Sequence, residues 1–279
     1  MDKPAGLTSH DAVQRVRRAL RTKQVGHTGT LDPFATGLLV VLAGRATRLA
    51  RFVESEAKTY LATVRLGVRT ETDDLTGAVL EERPVGQLSL GRVQEALVGF
   101  AGEQRQRPPA YSARHVGGER SYRLARRGAA VQPPETTVTV HRIELVAWEP
   151  PTVTFRATVS AGTYLRAIGR DLGERLGTGG HLTALRREAI GALRVEQAIP
   201  LDQVGPEALL PPAHVLGHLP AVSLDPAAKA EVVHGRAVAD AGAAMEPGVP
   251  VVLLAGGELV AVARPEDGRL RPTVVLATP

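Results

Sequence analysis

A mixed fold of helices and strands, α/β or α+β, is what this sequence predicts, and three observations carry that reading. Helical periodicity recurs at about 10–21, 90–100 and 164–176. Polar–apolar alternation marks strands at about 58–68, 136–147 and 152–159. The composition, 43% hydrophobic with 29 Gly and 20 Pro in 279 residues, suits a globular chain rich in loops. That length holds one large domain and one small one.

The first helix spans about His10 to Arg21, with Ser9 as its predicted cap and Ala12, Val13, Val16 and Leu20 on one face. The next stretch organises the chain: Gly26-His-Thr-Gly-Thr-Leu-Asp32-Pro-Phe-Ala-Thr-Gly37-Leu-Leu-Val-Val. Three glycines permit positive φ or close backbone approach, while Pro33 stiffens the loop and pushes Asp32 toward an extended conformation. Leu38 to Leu42 then reads as a buried strand. One acid therefore sits on a stiff, irregular loop anchored to the core. Asp-Pro is also a common turn start, so on its spacing alone this loop reads first as a plain turn.

A short helix is expected over Arg45 to Phe52, followed by a strand from Lys58 that carries Tyr60. Residues 70–77 form an acidic loop without the glycine and terminal glutamate of a calcium loop, so no calcium site is read there. After the helix at Leu90 to Phe100 comes a basic, irregular segment holding Tyr111 and Tyr122. Two strands follow, and Gly162-Thr163 leads into a helix over about Tyr164 to Leu176, ended by Gly177. His181 to Glu188 reads as a loop and strand. His214 and His218, four apart within the Pro- and Ala-rich stretch 200–220, lack an acidic neighbour there, so a linker is read rather than a metal site. Val249–Leu254, Leu259–Ala263 and Thr273–Leu276 are the last strands.

Composition excludes several classes. The chain has no cysteine, which removes disulfides, thiolate-bound zinc and thiol catalysis. No apolar run approaches a membrane span, and Met1 is followed at once by Asp2 and Lys3, unlike a signal peptide. A soluble cytoplasmic protein is the expectation. Net charge is only +5, but residues 105–127 carry seven Arg against Glu119 alone, while residues 196–279 are net −5. The first of these segments suits phosphate neutralisation and the second does not. Gly26 to Thr30 lacks the Gly-Lys-Ser/Thr of a phosphate loop, and Gly162, Gly169 and Gly173 miss dinucleotide spacing.

Five ordered motifs now point to a family. Asp2-Lys-Pro-Ala-Gly-Leu-Thr-Ser9, GHTGTLDPFATGLL, Lys58-Thr-Tyr60, Gly162-Thr-Tyr-Leu-Arg166 and Leu185-Arg-Arg187 together resemble the TruB tRNA pseudouridine-55 synthases over roughly the first 195 residues. The resemblance implies an α+β fold: a mixed-sheet catalytic domain over 1–217, with an RNA-gripping thumb at about 105–128. A small β-rich PUA-like domain would occupy 218–279. It implies an apolar strand before Lys3-Pro4, yet only Met1 and Asp2 precede that pair, so the strand is expected to be missing or the native start to lie upstream.

The activity implied is isomerisation of a uridine in the tRNA T-loop by a monomer, with no cofactor, metal or membrane. The glycosidic bond breaks, the uracil turns over, and its C5 joins C1′ of the same ribose. Asp32 is the expected catalytic carboxylate, paired with Arg166. Tyr60 is expected to stack on the uracil, with Tyr164 and Leu185 walling the pocket. His27 is expected to enter the RNA loop where the flipped uridine left, and Lys3 to hold the catalytic loop. Attack at C1′, attack at C6 and elimination through a glycal all use that carboxylate. Two other readings stay open, a guide-RNA-dependent pseudouridine synthase and a non-catalytic tRNA-binding or tRNA-folding protein.

Overall fold

The structure, a computed structural model, describes residues 1–239, 246 and 248–278. β1 (Asp2–Lys3) precedes α1 (Ser9–Ala19). Thr8, not Ser9, caps α1: Asp11 N donates to the Thr8 hydroxyl, and Thr8 N donates back to the Asp11 carboxylate. Ser9 is buried and serves elsewhere, as shown below. β2 (Val25–His27), β3 (Thr36–Leu38) and β4 (Val41–Ala43) follow. The buried strand expected over Leu38 to Leu42 is therefore broken. β3 joins the main sheet, whereas β4 pairs with β2 in a separate ribbon, because Leu39 and Val40 turn between two packing faces. The expected helix at Arg45 to Phe52 is a 3₁₀ turn over Gly44–Leu49 running into α2 (Ala50–Glu54).

β5 (Lys58–Leu66) alternates buried and half-exposed positions along its length. The hairpin β6 (Val68–Thr70) and β7 (Val79–Glu82) brackets the acidic loop. α3 (Leu90–Val98) and β8 (Gly102–Gln106) lead into the basic insertion, which is more regular than its sequence suggested. It contains the hairpin β9 (His115–Val116) and β10 (Glu119–Arg120), then α4 (Ser121–Arg126). β11 (Thr136–Glu149), β12 (Thr152–Val159), α5 (Leu165–Arg175), β13 (Gly180–Ile190) and β14 (Leu193–Arg194) complete the large unit. The smaller unit holds β15 (Ala221–Ser223), α6 (Pro226–Val233), β16 (Val238–Ala239), β17 (Val251–Ala255), β18 (Glu258–Glu266) and β19 (Arg269–Val275).

The main sheet runs β1-β3-β13-β5-β12-β11-β8, with β14 beside β13. It is mixed, since β3 and β13 are parallel and the other pairs antiparallel. At the sheet edge Asp2 and Lys3 pair with Leu38 and Gly37. Gly37 is at φ +104°, and a side chain there would meet the Arg187 backbone, so close packing of β3 on β13 requires glycine.

One sheet face carries the core. Val13 and Val16 of α1, Leu165, Ile168 and Leu172 of α5, and Leu97 and Phe100 pack against Ala62, Val64, Leu66, Val153, Phe155 and Leu182. Each fully buried large aliphatic or Phe contributes about 1.5–3 kcal/mol. A second cluster joins the two units, bringing Leu49, Phe52, Ile190 and Leu216 against Val252, Val262 and Val274. Among the described residues no helix is long and apolar enough to cross a membrane.

Candidate active site

The loop that presents Asp32 is fastened from several sides. Leu31 N donates to the Ser9 hydroxyl at 2.8 Å, and that hydroxyl donates back to Leu31 O at 3.2 Å. Gly6 N binds Pro33 O at 2.8 Å, and Ala35 N binds Asp32 O at 3.1 Å. Lys3 is fully buried, and its ammonium donates to Leu7 O at 2.7 Å, Pro4 O at 2.8 Å and Pro33 O at 3.5 Å. Burial holds the Lys3 ammonium below its ordinary range, opposed by the charge of Asp32. Behind the loop, buried Arg187 donates from Nε to Leu38 O at 2.7 Å and from Nη2 to Gly29 O at 3.1 Å. Lys58 is buried as well, and a side chain at Gly29 would touch both cations.

Asp32 faces Arg166 of α5. Arg166 Nη2 donates to Oδ1 at 3.3 Å, and Nε lies 3.0 Å from Oδ2 but out of line with its N–H. The guanidinium is almost wholly buried, while a third of the Asp32 side chain is open to solvent, so the carboxylate is the accessible member of the pair. Arg166 also donates from Nη1 to Thr72 O and from Nη2 to Tyr111 O, each at 2.8 Å. Asp74 Oδ2 stands 3.4 Å from Nη1. Burial pushes the Asp32 carboxyl above its ordinary 3.8, Arg166 pulls it down, and the Asp74 charge pushes it up, with a net rise. The pairing thus offsets part of the burial cost without reversing it.

The structure places the other sequence-predicted residues as follows. Tyr164 is the last residue before α5, and its backbone is clamped by buried Gln106, which accepts from Tyr164 N at 2.8 Å and donates to Tyr164 O at 3.1 Å. Tyr60 is buried on the core face of β5, directly across from Arg187. Leu185 lies on the same face of β13, opposite Ala62. His27 ends β2, paired with Val41, and its buried Nδ1 has no partner. Burial and the Arg187 charge lower its pKa below 6.5, so the imidazole is neutral at pH 7 and suited to stacking.

Four members of this assembly are not evident from sequence alone. Asp74, in the acidic loop that lacks a calcium-binding pattern, is buried, and its Oδ1 accepts from Thr72 Oγ1, Thr76 N and Thr76 Oγ1. The Asp-x-Thr spacing is a signal for such a turn, though not for its burial. Arg187, Lys58 and Gln106 are the other three: the first two stand in the family motifs without a role attached, and burial gives all three their places. The histidines at 214 and 218 do meet an acid, His218 Nε2 being 3.5 Å from Glu56, but the described residues hold no three-ligand metal cluster.

Lys58 gives a testable consequence. Its ammonium donates to Glu54 O and Glu56 O, yet burial and Arg187 lower its pKa to about 8. An unfolded lysine stays protonated to about 10.4, so the folded state gains stability as pH rises from about 8 to about 10. Relative to Lys58→Met, the wild type is expected to gain about 2 kcal/mol across that window, measured by urea unfolding at each pH. A flat difference would show that Lys58 is not held below its ordinary range.

Residues 17–165 match the TruB family pseudouridylate synthase (N terminal domain). The chain is 44% identical to the tRNA pseudouridine synthase B of Gloeobacter violaceus, covering all of this chain and 98% of that protein. It is 42% identical to the protein of the same name from Synechococcus sp. (strain WH7803), over 99% of this chain and 95% of the relative. Among solved structures it is similar to a chain of an H/ACA RNP bound to a substrate RNA containing 2′-deoxyuridine. That likeness has a TM-score of 0.75 and 26% identity, over 99% of this chain and 83% of the other. A Cbf5-Nop10-Gar1 complex gives a TM-score of 0.75 and 28% identity, over 99% of this chain and 82% of the other. With the fold, the motifs and these likenesses in agreement, the chain belongs to the TruB family of pseudouridylate synthases.

Proposed function

We propose that this protein converts a uridine of the tRNA T-loop, at position 55, to pseudouridine, acting as a monomer without guide RNA, metal or cofactor. The observation that carries this is the placement of Arg166. One guanidinium holds the half-buried Asp32 carboxylate and the root of the basic insertion together. The isomerisation is redox-neutral. The N1–C1′ bond breaks, C5–C1′ forms, C5 loses its proton and N1 gains one. Such chemistry needs an ionised carboxylate against sugar or base, and Asp32 is that group.

The uridine must leave its stack, at a cost of a few kcal/mol that aromatic contacts and phosphate grip offset. Tyr60 stacks on the uracil, Tyr164 and Leu185 exclude water, neutral His27 fills the vacated place, and Lys3 keeps the loop in register. Residues 1–217 form the catalytic domain in this reading, and 218–279 a PUA-like domain. The five-stranded sheet of the smaller unit, ordered β15-β17-β18-β19-β16, supports that assignment. Its acidic balance makes its RNA grip weak.

The insertion separates this reading from a guide-dependent enzyme or a passive scaffold. Arg123, Arg126 and Arg127 lie on or beside α4, the first two flanking the Tyr122 ring. Replacing Arg120, Arg123, Arg126 and Arg127 by glutamine is expected to weaken tRNA affinity. It should also flatten the salt dependence, by about 0.7–0.9 in log–log slope for each phosphate that is no longer neutralised. The single-turnover rate at saturating RNA should change less. Unchanged affinity and slope would remove the thumb assignment and favour the alternatives.

A further inference from the structure

Three segments far apart in sequence meet on two arginines one turn apart on α5. Arg166 takes Asp32, Thr72 O, Asp74 and Tyr111 O, while Arg170 takes Asp73 at 3.1 Å, Asp171 at 2.8 Å and Arg107 O at 3.0 Å. Both therefore tie the acidic loop to the first residues of the insertion. The same two segments are also joined directly, because the Tyr111 hydroxyl donates to Glu71 Oε1 at 2.6 Å. That hydrogen bond keeps the phenol above its ordinary range and so in its donor form.

The root is also stitched to the part of the insertion that carries its arginines. Tyr122 N donates to Ser112 O at 3.1 Å, Ser121 N to Arg114 O at 2.7 Å, and the Ser121 hydroxyl to Ala110 O at 2.5 Å. Hydrogen bonds and the Tyr111–Ser112 peptide thus connect α4 to Arg166 and Asp32. The Tyr111 carbonyl takes one of the in-plane donors of Arg166, so a shift of the root turns the guanidinium against the Asp32 carboxylate.

We propose that Tyr111 and Glu71 are positioning residues. Their hydrogen bond docks the root of the insertion on Arg166 and couples RNA engagement by the insertion to the geometry of Asp32. This rests on the reading of Asp32 and Arg166 as the reacting pair. Neither Tyr111 nor Glu71 touches the uridine in this account. Both act through Arg166.

The test uses the full chain and an unmodified tRNA transcript, with single-turnover rate, affinity and pH profile read for each variant. Tyr111→Phe and Glu71→Ala should each slow the step at saturating RNA about 5-fold, the effect of one charge-assisted bond at a partly exposed site. Affinity should stay within about twofold. Glu71→Gln, whose amide oxygen still accepts, should restore most of the rate. The double variant should be no slower than either single one. Asp32 is faced by Arg166, Asp74 and Lys3, and loosening Arg166 should move the acid limb of the rate profile to higher pH.

Wild-type rates in both single variants, additive losses in the double variant, or a loss confined to affinity would each overturn the proposal. If the unmutated protein makes no pseudouridine, the functional reading falls and this proposal with it. Unchanged variants of an active protein overturn the proposal alone.

Discussion

Asp32→Asn is expected to lower the single-turnover rate by about a thousandfold or more, while tRNA affinity stays near that of the wild type. Asparagine keeps the size of the side chain, and the loop around it is held by Ser9, Gly6, Lys3 and Arg187, through contacts that do not use the carboxylate. Geometry therefore survives and only the charge is removed. Binding is expected to survive because the proposed function assigns phosphate contacts to the arginines of the insertion and none to Asp32. Asp32→Ala, which cannot revert to aspartate by deamidation, must give the same result. Measurable turnover in that variant would end the assignment of Asp32 as the reacting carboxylate.

Arg166→Lys is expected to cost about a hundredfold in rate with little change in affinity. Arg166 faces two carboxylates and donates to two backbone carbonyls in one plane, and a single ammonium cannot reproduce that set. The pH dependence has a definite sign. In the proposed function Asp32 works ionised, so activity is expected to be lost as pH falls through a pKa already above 3.8 because of burial. Weakening Arg166 removes the main opposing pull, so the acid limb of the rate profile should move further up. A lysine variant with wild-type rate and an unmoved limb would place Arg166 in another role.

What the sequence made legible was local. The irregular loop around Asp32, the stiffness given by Pro33 and the helix after Thr163 all follow from turn chemistry and periodicity, and their order gave the family resemblance. Residues whose meaning depends on burial were not legible. Asp74 reads as one acid in an acidic loop, and Lys58 as the start of a strand. Both join the candidate site only through the fold: β5, which begins at Lys58, pairs with β13, and the loop after β6 brings Asp74 to Arg166. The same applies to Gln106, whose partner Tyr164 is 58 positions away. The strand expected at Leu38 to Leu42 fails for a related reason, since an all-apolar run does not reveal that it serves two different clusters.

The most direct test of the central claim is conversion of an unmodified tRNA transcript by the purified protein alone, with no guide RNA and no added metal, mapped by nucleotide. The account predicts pseudouridine at one T-loop uridine, formed over many turnovers by the wild type and absent with Asp32→Ala. Product at other uridines, a requirement for a guide RNA, or equal conversion by the Asp32 variant would contradict it.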